Sequence, residues 1–70
     1  MYIVIELQKN GEGKVSNLIT DHNTLAEAES KFYTILASAA INTVPVHSAI
    51  IVSEEGFPVK HQCYKHEKDV

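Results

Sequence analysis

The sequence predicts a single α+β domain with the element order ββαββ, in which a four-stranded, mainly antiparallel sheet carries one helix on one face. Three observations lead to this prediction: two pairs of segments with strand-like apolar patterning, one Ala-rich segment of helical periodicity between them, and a length of 70 residues. We therefore expect one domain over residues 1–70, with a tail that frays from about residue 65. The pattern does not determine the strand order.

The first predicted hairpin joins strands at residues 1–8 and 15–21. Apolar side chains alternate along the first of these segments, which is typical of a β-strand. One face of that strand carries Ile3, Ile5 and Leu7, and the other carries Tyr2, Val4 and Glu6. Residues 9–14 contain one Asn and two Gly, residue types that tolerate the backbone angles of a tight turn.

A helix is predicted from residue 25 to about residue 41. Thr24 and Glu27 fit a capping box at its start, and Asn42 suits the position after its end. One apolar stripe is expected to face the core and consists of Leu25, Ala28, Phe32, Ile35, Leu36 and Ala39. A second stripe adjoins it and consists of Ala26, Tyr33, Ala37 and Ala40. Because a helix on one small sheet needs a narrower apolar arc, the second stripe indicates a further contact surface.

The second predicted hairpin joins a strand at residues 44–53 to one from residue 57 to about residue 64. Residues 54–56 suit a three-residue loop with Gly56 in the left-handed conformation. Both faces of residues 44–53 are largely apolar, which is typical of a strand covered on both sides.

The candidate metal ligands are His47, His61 and Cys63. If Ser53 pairs with Phe57 across the predicted loop, these three side chains share one face at cross-strand spacing, and their types suit zinc. A structural zinc site uses four ligands, however, and a slip of one residue would separate the three. The preferred interpretation is that they are ordinary strand residues near an edge or an interface, so we expect no metal and no cofactor.

Cys63 is also the candidate nucleophile. A reactive thiol needs a paired base and an electropositive setting, and His47 or His61 would have to serve as that base. The sequence offers no device for stabilising an oxyanion, so we expect no enzymatic activity and assign no catalytic residues.

The predicted sheet leaves one face without a helix. We expect this face to carry Tyr2, Val4 and Leu18 together with one of the two apolar sets of residues 44–53. A contiguous exposed apolar patch is unusual on a monomer, and a chain of this size often needs a partner chain. We therefore predict a homo-oligomer, with a dimer as the first expectation. The predicted interface comprises Tyr2, Val4, Leu18, Ala26, Tyr33, Ala37 and Ala40.

Charge and apolar patterning rank several functional classes low. The chain has 6 basic and 9 acidic residues, a net charge of −3 and no Arg, whereas nucleic-acid-binding proteins usually carry a basic stripe. Its apolar segments are too short to span a bilayer, and its first residues lack the basic region of a signal peptide. A single Cys suits a reducing compartment, so we expect a cytoplasmic protein without membrane contact.

The segments MYIVIELQ, AEAESKF, VPVHSA, EEGFP and YKHE, in this order and spacing, resemble a group of very short uncharacterised proteins encoded in phages, prophages and related mobile elements of Gram-positive gut bacteria. The resemblance covers nearly the whole chain and carries no known functional residues. It implies a phage-related accessory protein that acts inside a bacterial host cell.

By analogy with other small acidic phage proteins, the resemblance favours a binding protein with a role in counter-defence. Such a protein would inhibit a host protein or sequester a small signalling molecule between its subunits. The alternative is a structural or virion-associated protein, and a metal- or thiol-dependent enzyme ranks below both.

Overall fold

The structure is a computed structural model that describes residues 1–66. Its elements in chain order are β1 (Tyr2–Lys9), β2 (Val15–His22), α1 (Leu25–Ile41), β3 (Val46–Ser53) and β4 (Pro58–Lys65). The predicted order ββαββ is confirmed, and the predicted bounds differ from these by at most two residues. β4 runs through Lys65, and residues 67–70 of the predicted tail lie outside the described residues.

The four strands form one sheet in the order β2-β1-β3-β4, and every neighbouring pair is antiparallel. β1 therefore lies between its own hairpin partner and the first strand of the second hairpin. α1 packs across one face of the sheet, mainly on β3 and β1. The predicted four-stranded antiparallel sheet with one helix is confirmed.

Both hairpin turns form as their residue types predict. The Asn10 side-chain oxygen accepts hydrogen bonds from the backbone N–H groups of Glu12 at 2.9 Å and Lys14 at 3.0 Å, which closes the first turn. Gly13 has φ 85 and Gly56 has φ 86, a left-handed backbone region that favours glycine.

The ends of α1 use the predicted capping residues. The Thr24 hydroxyl accepts a hydrogen bond from the Glu27 backbone N–H at 3.2 Å, which satisfies one of the free donors of the first turn. At the other end, the Asn42 backbone N–H donates to the Ser38 carbonyl at 3.1 Å. The predicted core stripe is confirmed, since Ala28, Phe32, Ile35 and Ala39 are buried and Leu25 and Leu36 pack against them.

The core lies between α1 and the sheet and includes Val4, Ala49 and Ile51. The placement of Tyr2, Val4 and Leu18 on the helix-free face is therefore wrong, because alternate residues of β1 and their cross-strand partners on β2 share the side that α1 covers. Ala49 lies beneath α1, where its small side chain lets the helix approach the sheet closely.

Candidate interaction surface

The face of the sheet opposite α1 has no helix over it among the described residues, and we call it the open face. Because successive side chains of a strand point to opposite sides, its members follow from the strand pairing. They are the odd-numbered residues of β1 and β2, the even-numbered residues of β3, and Pro58, His61, Cys63 and Lys65 of β4.

The centre of the open face is a row of three isoleucines that crosses three strands. Ile5 on β1 is paired with Ile19 on β2 and with Ile50 on β3. Ile3 and Leu7 flank this row along β1. Ile19 is 59% exposed and Leu7 is 36% exposed, so a contiguous apolar surface faces solvent in the single chain.

The open face is large enough for a protein–protein contact. A sheet of four strands about 4.8 Å apart, each eight residues long at about 3.4 Å per residue, has a footprint of roughly 500 Å². Two such faces in contact would bury roughly 1,000 Å² or somewhat more, which is the lower limit for a specific interface. The largest apolar patch of a monomer, typically about 300–600 Å², is often functional.

Charged residues of the open face lie at its rim. Asp21 lies near one end of the edge strand β2, and Lys65 ends the other edge strand, β4. The last row of paired residues at one end of the sheet carries Lys9 on β1, Val46 on β3 and Lys65 on β4, so Val46 separates the two lysines. The open face thus combines an apolar centre with a charged rim, which is the usual anatomy of a protein interface.

Of the predicted interface residues on the sheet, none lies on the open face. Tyr2 and Val4 pack in or against the core beneath α1, and Leu18 points to the same side but lies beyond the helix, where it is 53% exposed. The apolar residues of the open face that the prediction did not place there are Ile3, Ile5, Leu7 and Ile19. On β3, one of the two sets that the prediction left open, Val46, Ile50 and Val52, lies on the open face. The sequence carries no signal that distinguishes the two sides of β3, because the small residues Ser48 and Ala49 are adjacent and lie on opposite faces.

The second helix stripe of Ala26, Tyr33, Ala37 and Ala40 is exposed in the structure, and its role in assembly stays a prediction. Tyr33 is held in place by two contacts. Its hydroxyl accepts a hydrogen bond from Lys60 Nζ at 2.8 Å, and its ring meets Phe32 edge-on with centroids 5.3 Å apart. Lys60 Nζ also lies 3.1 Å from Glu29 Oε2, and both hydrogen bonds raise the pKa of the Lys60 ammonium.

The predicted cluster of His47, His61 and Cys63 does not form. A register shift after Ile51, which pairs with Lys60, lets Val59 bulge, so that His61 lies opposite Ile50 and Cys63 opposite Ser48. His47 consequently points toward α1, while His61 and Cys63 lie on the open face. Residues 1–66 contain no group of three or more His, Cys, Asp or Glu side chains arranged to hold a metal ion.

His47 instead belongs to a buried polar network below the end of α1. The Asn42 side-chain oxygen accepts from Val44 N–H at 3.2 Å, so its amide nitrogen donates to His47 Nδ1 at 2.8 Å. The other ring nitrogen, Nε2, then carries the proton and donates to Glu6 Oε2 at 2.6 Å. Gln8 Nε2 donates to the same carboxylate oxygen at 3.0 Å. This network joins the helix end to both central strands and uses both imidazole nitrogens.

A shallow cleft of about 120 Å³ lies beside this network and is lined by Glu6, Gln8, Ser16, Asn17 and Leu18. Pockets that bind small organic ligands enclose roughly 300–1,000 Å³. The cleft therefore suits a few water molecules, and the open face is the larger candidate surface.

Comparisons of the chain with protein-family models, with curated proteins and with solved structures give no match. In the part of the chain that the structure describes, no helix combines the length and the apolar character needed to cross a membrane.

Proposed function

We propose that the protein is a small, non-enzymatic interaction protein that works as a homodimer, with two copies packed open face to open face. One observation carries this proposal: the row of Ile19, Ile5 and Ile50 is continuous across three strands, and no helix of residues 1–66 lies over it. Fully burying one large aliphatic side chain contributes about 1.5–3 kcal/mol, so partial burial of several such residues can offset the entropy lost on association.

The proposed non-enzymatic role is supported by how the polar side chains are used. Both ring nitrogens of His47 are engaged by Asn42 and Glu6, so the buried imidazole acts as a structural bridge. Cys63 and His61 lie in different rows of an apolar face, where a copy packed on the sheet would cover both of them.

We further propose a cellular role in counter-defence, in which the dimer binds a host protein or holds a small signalling molecule between its subunits in the cytoplasm of a bacterial host. The support is the resemblance to phage and prophage proteins.

Sedimentation velocity over a wide range of protein concentration tests the dimer. The expected result is a mass that rises with concentration from the chain mass of 7.8 kDa toward twice that value. Native mass spectrometry of the same preparation then shows whether a small molecule accompanies the dimer. A chain that stays monomeric at every concentration would overturn the proposed function.

A further inference from the structure

Asp21 and Lys65 carry opposite charges at diagonally opposite corners of the open face. Asp21 lies at one end of the sheet on edge strand β2, and Lys65 lies at the other end on edge strand β4. Both side chains are exposed, and neither has an ion-pair partner among residues 1–66. The other two corners are formed by Val15 and Pro58, which are uncharged.

A face-to-face homodimer has a two-fold axis that lies in the plane between its two sheets. This axis can run along the strands, across the strands, or along either diagonal of the face. The first two choices keep the strands of the two copies roughly aligned, whereas a diagonal axis makes them cross near a right angle. Aligned and orthogonal arrangements are the two classes of sheet packing seen in proteins.

Of these four axes, one pairs the two corner charges with each other. An axis along the strands places Asp21 over the partner copy's Pro58 corner. An axis across the strands places Asp21 over the Val15 corner, about 4.8 Å from the Lys9 position of the partner copy, and leaves Lys65 over the uncharged Pro58 corner. The diagonal through Asp21 and Lys65 places each of them over its own counterpart, so like charges face each other. The diagonal through Val15 and Pro58 places Asp21 of each copy over Lys65 of the other.

The dimensions of the sheet fit this last arrangement. The two edge strands lie about 14 Å apart and the two end rows about 20 Å apart. When the strands cross at a right angle, with the axis tilted by about 10° from the corner-to-corner diagonal, the Asp21 and Lys65 positions differ by roughly 4 Å within the plane. The flexible four-carbon stem of lysine can span this offset.

We propose that two copies of this chain pack open face to open face with their strands crossing near a right angle, and that paired Asp21 and Lys65 side chains at two corners select this arrangement. The proposal rests on the homodimer proposed above and adds its geometry. Leu7 and Ile50 lie near the two-fold axis and meet their own counterparts, so the apolar centre stays buried. Ion pairs at a rim govern orientation more than affinity, and like charges disfavour the other diagonal.

Charge reversal tests this geometry. Asp21→Lys and Lys65→Asp each place like charges together at both corners, and we expect each to raise the Kd of the dimer about tenfold at low salt. A heterodimer of one chain of each variant has opposite charges at both corners. We therefore expect a mixture of the two variants to dimerise with a Kd within about threefold of the wild-type value. Glu12→Lys, in the turn between β1 and β2, is the control and should leave the Kd unchanged.

Sedimentation equilibrium of the wild type, each variant and the mixture separates the possible outcomes. If the mixture dimerises with a Kd close to that of the wild type, and high salt weakens this effect, the crossed arrangement is supported. If the mixture dissociates as readily as the separate variants while the wild type dimerises, the crossed arrangement is wrong and the homodimer stands. If the wild type itself is monomeric, the proposed function fails and the crossed arrangement fails with it.

Discussion

The imidazole of His47 donates a hydrogen bond from Nε2 to Glu6 Oε2 at 2.6 Å and so joins the two central strands, β3 and β1. His47 is 1% exposed, the lowest value among the polar residues of the described chain. The same ring accepts from Asn42 at the end of α1. One side chain thus connects the helix terminus to the sheet.

Replacing His47 should destabilise the fold strongly. His47→Ala leaves the Glu6 carboxylate and the Asn42 amide without their shared partner and opens a void beneath α1. We expect the free energy of unfolding to fall by about 2–4 kcal/mol, measured by urea denaturation. His61→Ala, on the exposed open face, is the matched control and should change stability by less than about 0.5 kcal/mol at a concentration where the chain is monomeric. Equal losses in both variants would contradict the structural role of His47.

Substitutions at two neighbouring residues of β1 should separate core stability from assembly. Val4 is 1% exposed beneath α1, and Ile5 lies on the open face. Val4→Ala is expected to lower the stability of the monomer by about 2 kcal/mol. Ile5→Ala removes more carbon atoms but should cost the monomer less, because its side chain remains partly hydrated.

The measurements are urea denaturation at low protein concentration and sedimentation at high concentration. Ile5→Ala should weaken the dimer more than Val4→Ala does. If instead Ile5→Ala destabilises the monomer more and Val4→Ala weakens the dimer more, α1 covers the other face of β1.

The N-terminal ammonium should make stability depend on pH through Glu54. Its nitrogen donates to Glu54 Oε1 at 2.8 Å, and this hydrogen bond, with the positive charge, lowers the pKa of the Glu54 carboxyl below its ordinary value of 4.5. A carboxyl whose pKa is lower in the folded state binds fewer protons there than in the unfolded chain. Its contribution to stability is therefore present above the unfolded pKa and is lost as pH falls through the folded pKa.

Glu54→Gln tests this linkage. The stability difference between wild type and Glu54→Gln should be largest above the ordinary pKa and should shrink in acid, as followed by urea midpoints across the acidic range. High salt should reduce the difference, because the pair is exposed. Glu55→Gln leaves the ion pair between the N-terminal ammonium and Glu54 intact. The contribution of Glu54 to stability should therefore depend on pH in this variant as it does in the wild type. A difference that is constant with pH would argue against the ion pair.

Local signals were sufficient to predict the elements. Thr24, Asn42 and Gly56 each act within a few residues of their position in the chain, and all three form the caps or turns that their types favour. Strand order depends on pairing between distant segments, such as Tyr2 with Ser53, which no local pattern encodes. This is why the order of elements was predictable and their arrangement in the sheet was not.

The sequence predicted an exposed apolar face of the sheet but placed it on the wrong side. Both faces of β1 are apolar, so alternation alone cannot say which face a helix covers. The zinc hypothesis failed for a different reason. The bulge at Val59 shifts β4 by one residue, which reverses the side on which His61 and Cys63 lie relative to His47.

The most direct test of the open face compares two consecutive residues of β2. Leu18 is 53% exposed on the side of α1, and Ile19 is 59% exposed on the open face, so the two sites match in strand, size and exposure. Leu18→Lys and Ile19→Lys therefore place the same charge on opposite faces. Sedimentation velocity at a concentration where the wild type is dimeric is the measurement, with circular dichroism to confirm folding. The account predicts a folded monomer for Ile19→Lys and a wild-type dimer for Leu18→Lys, and a dimer that survives Ile19→Lys but not Leu18→Lys would contradict it.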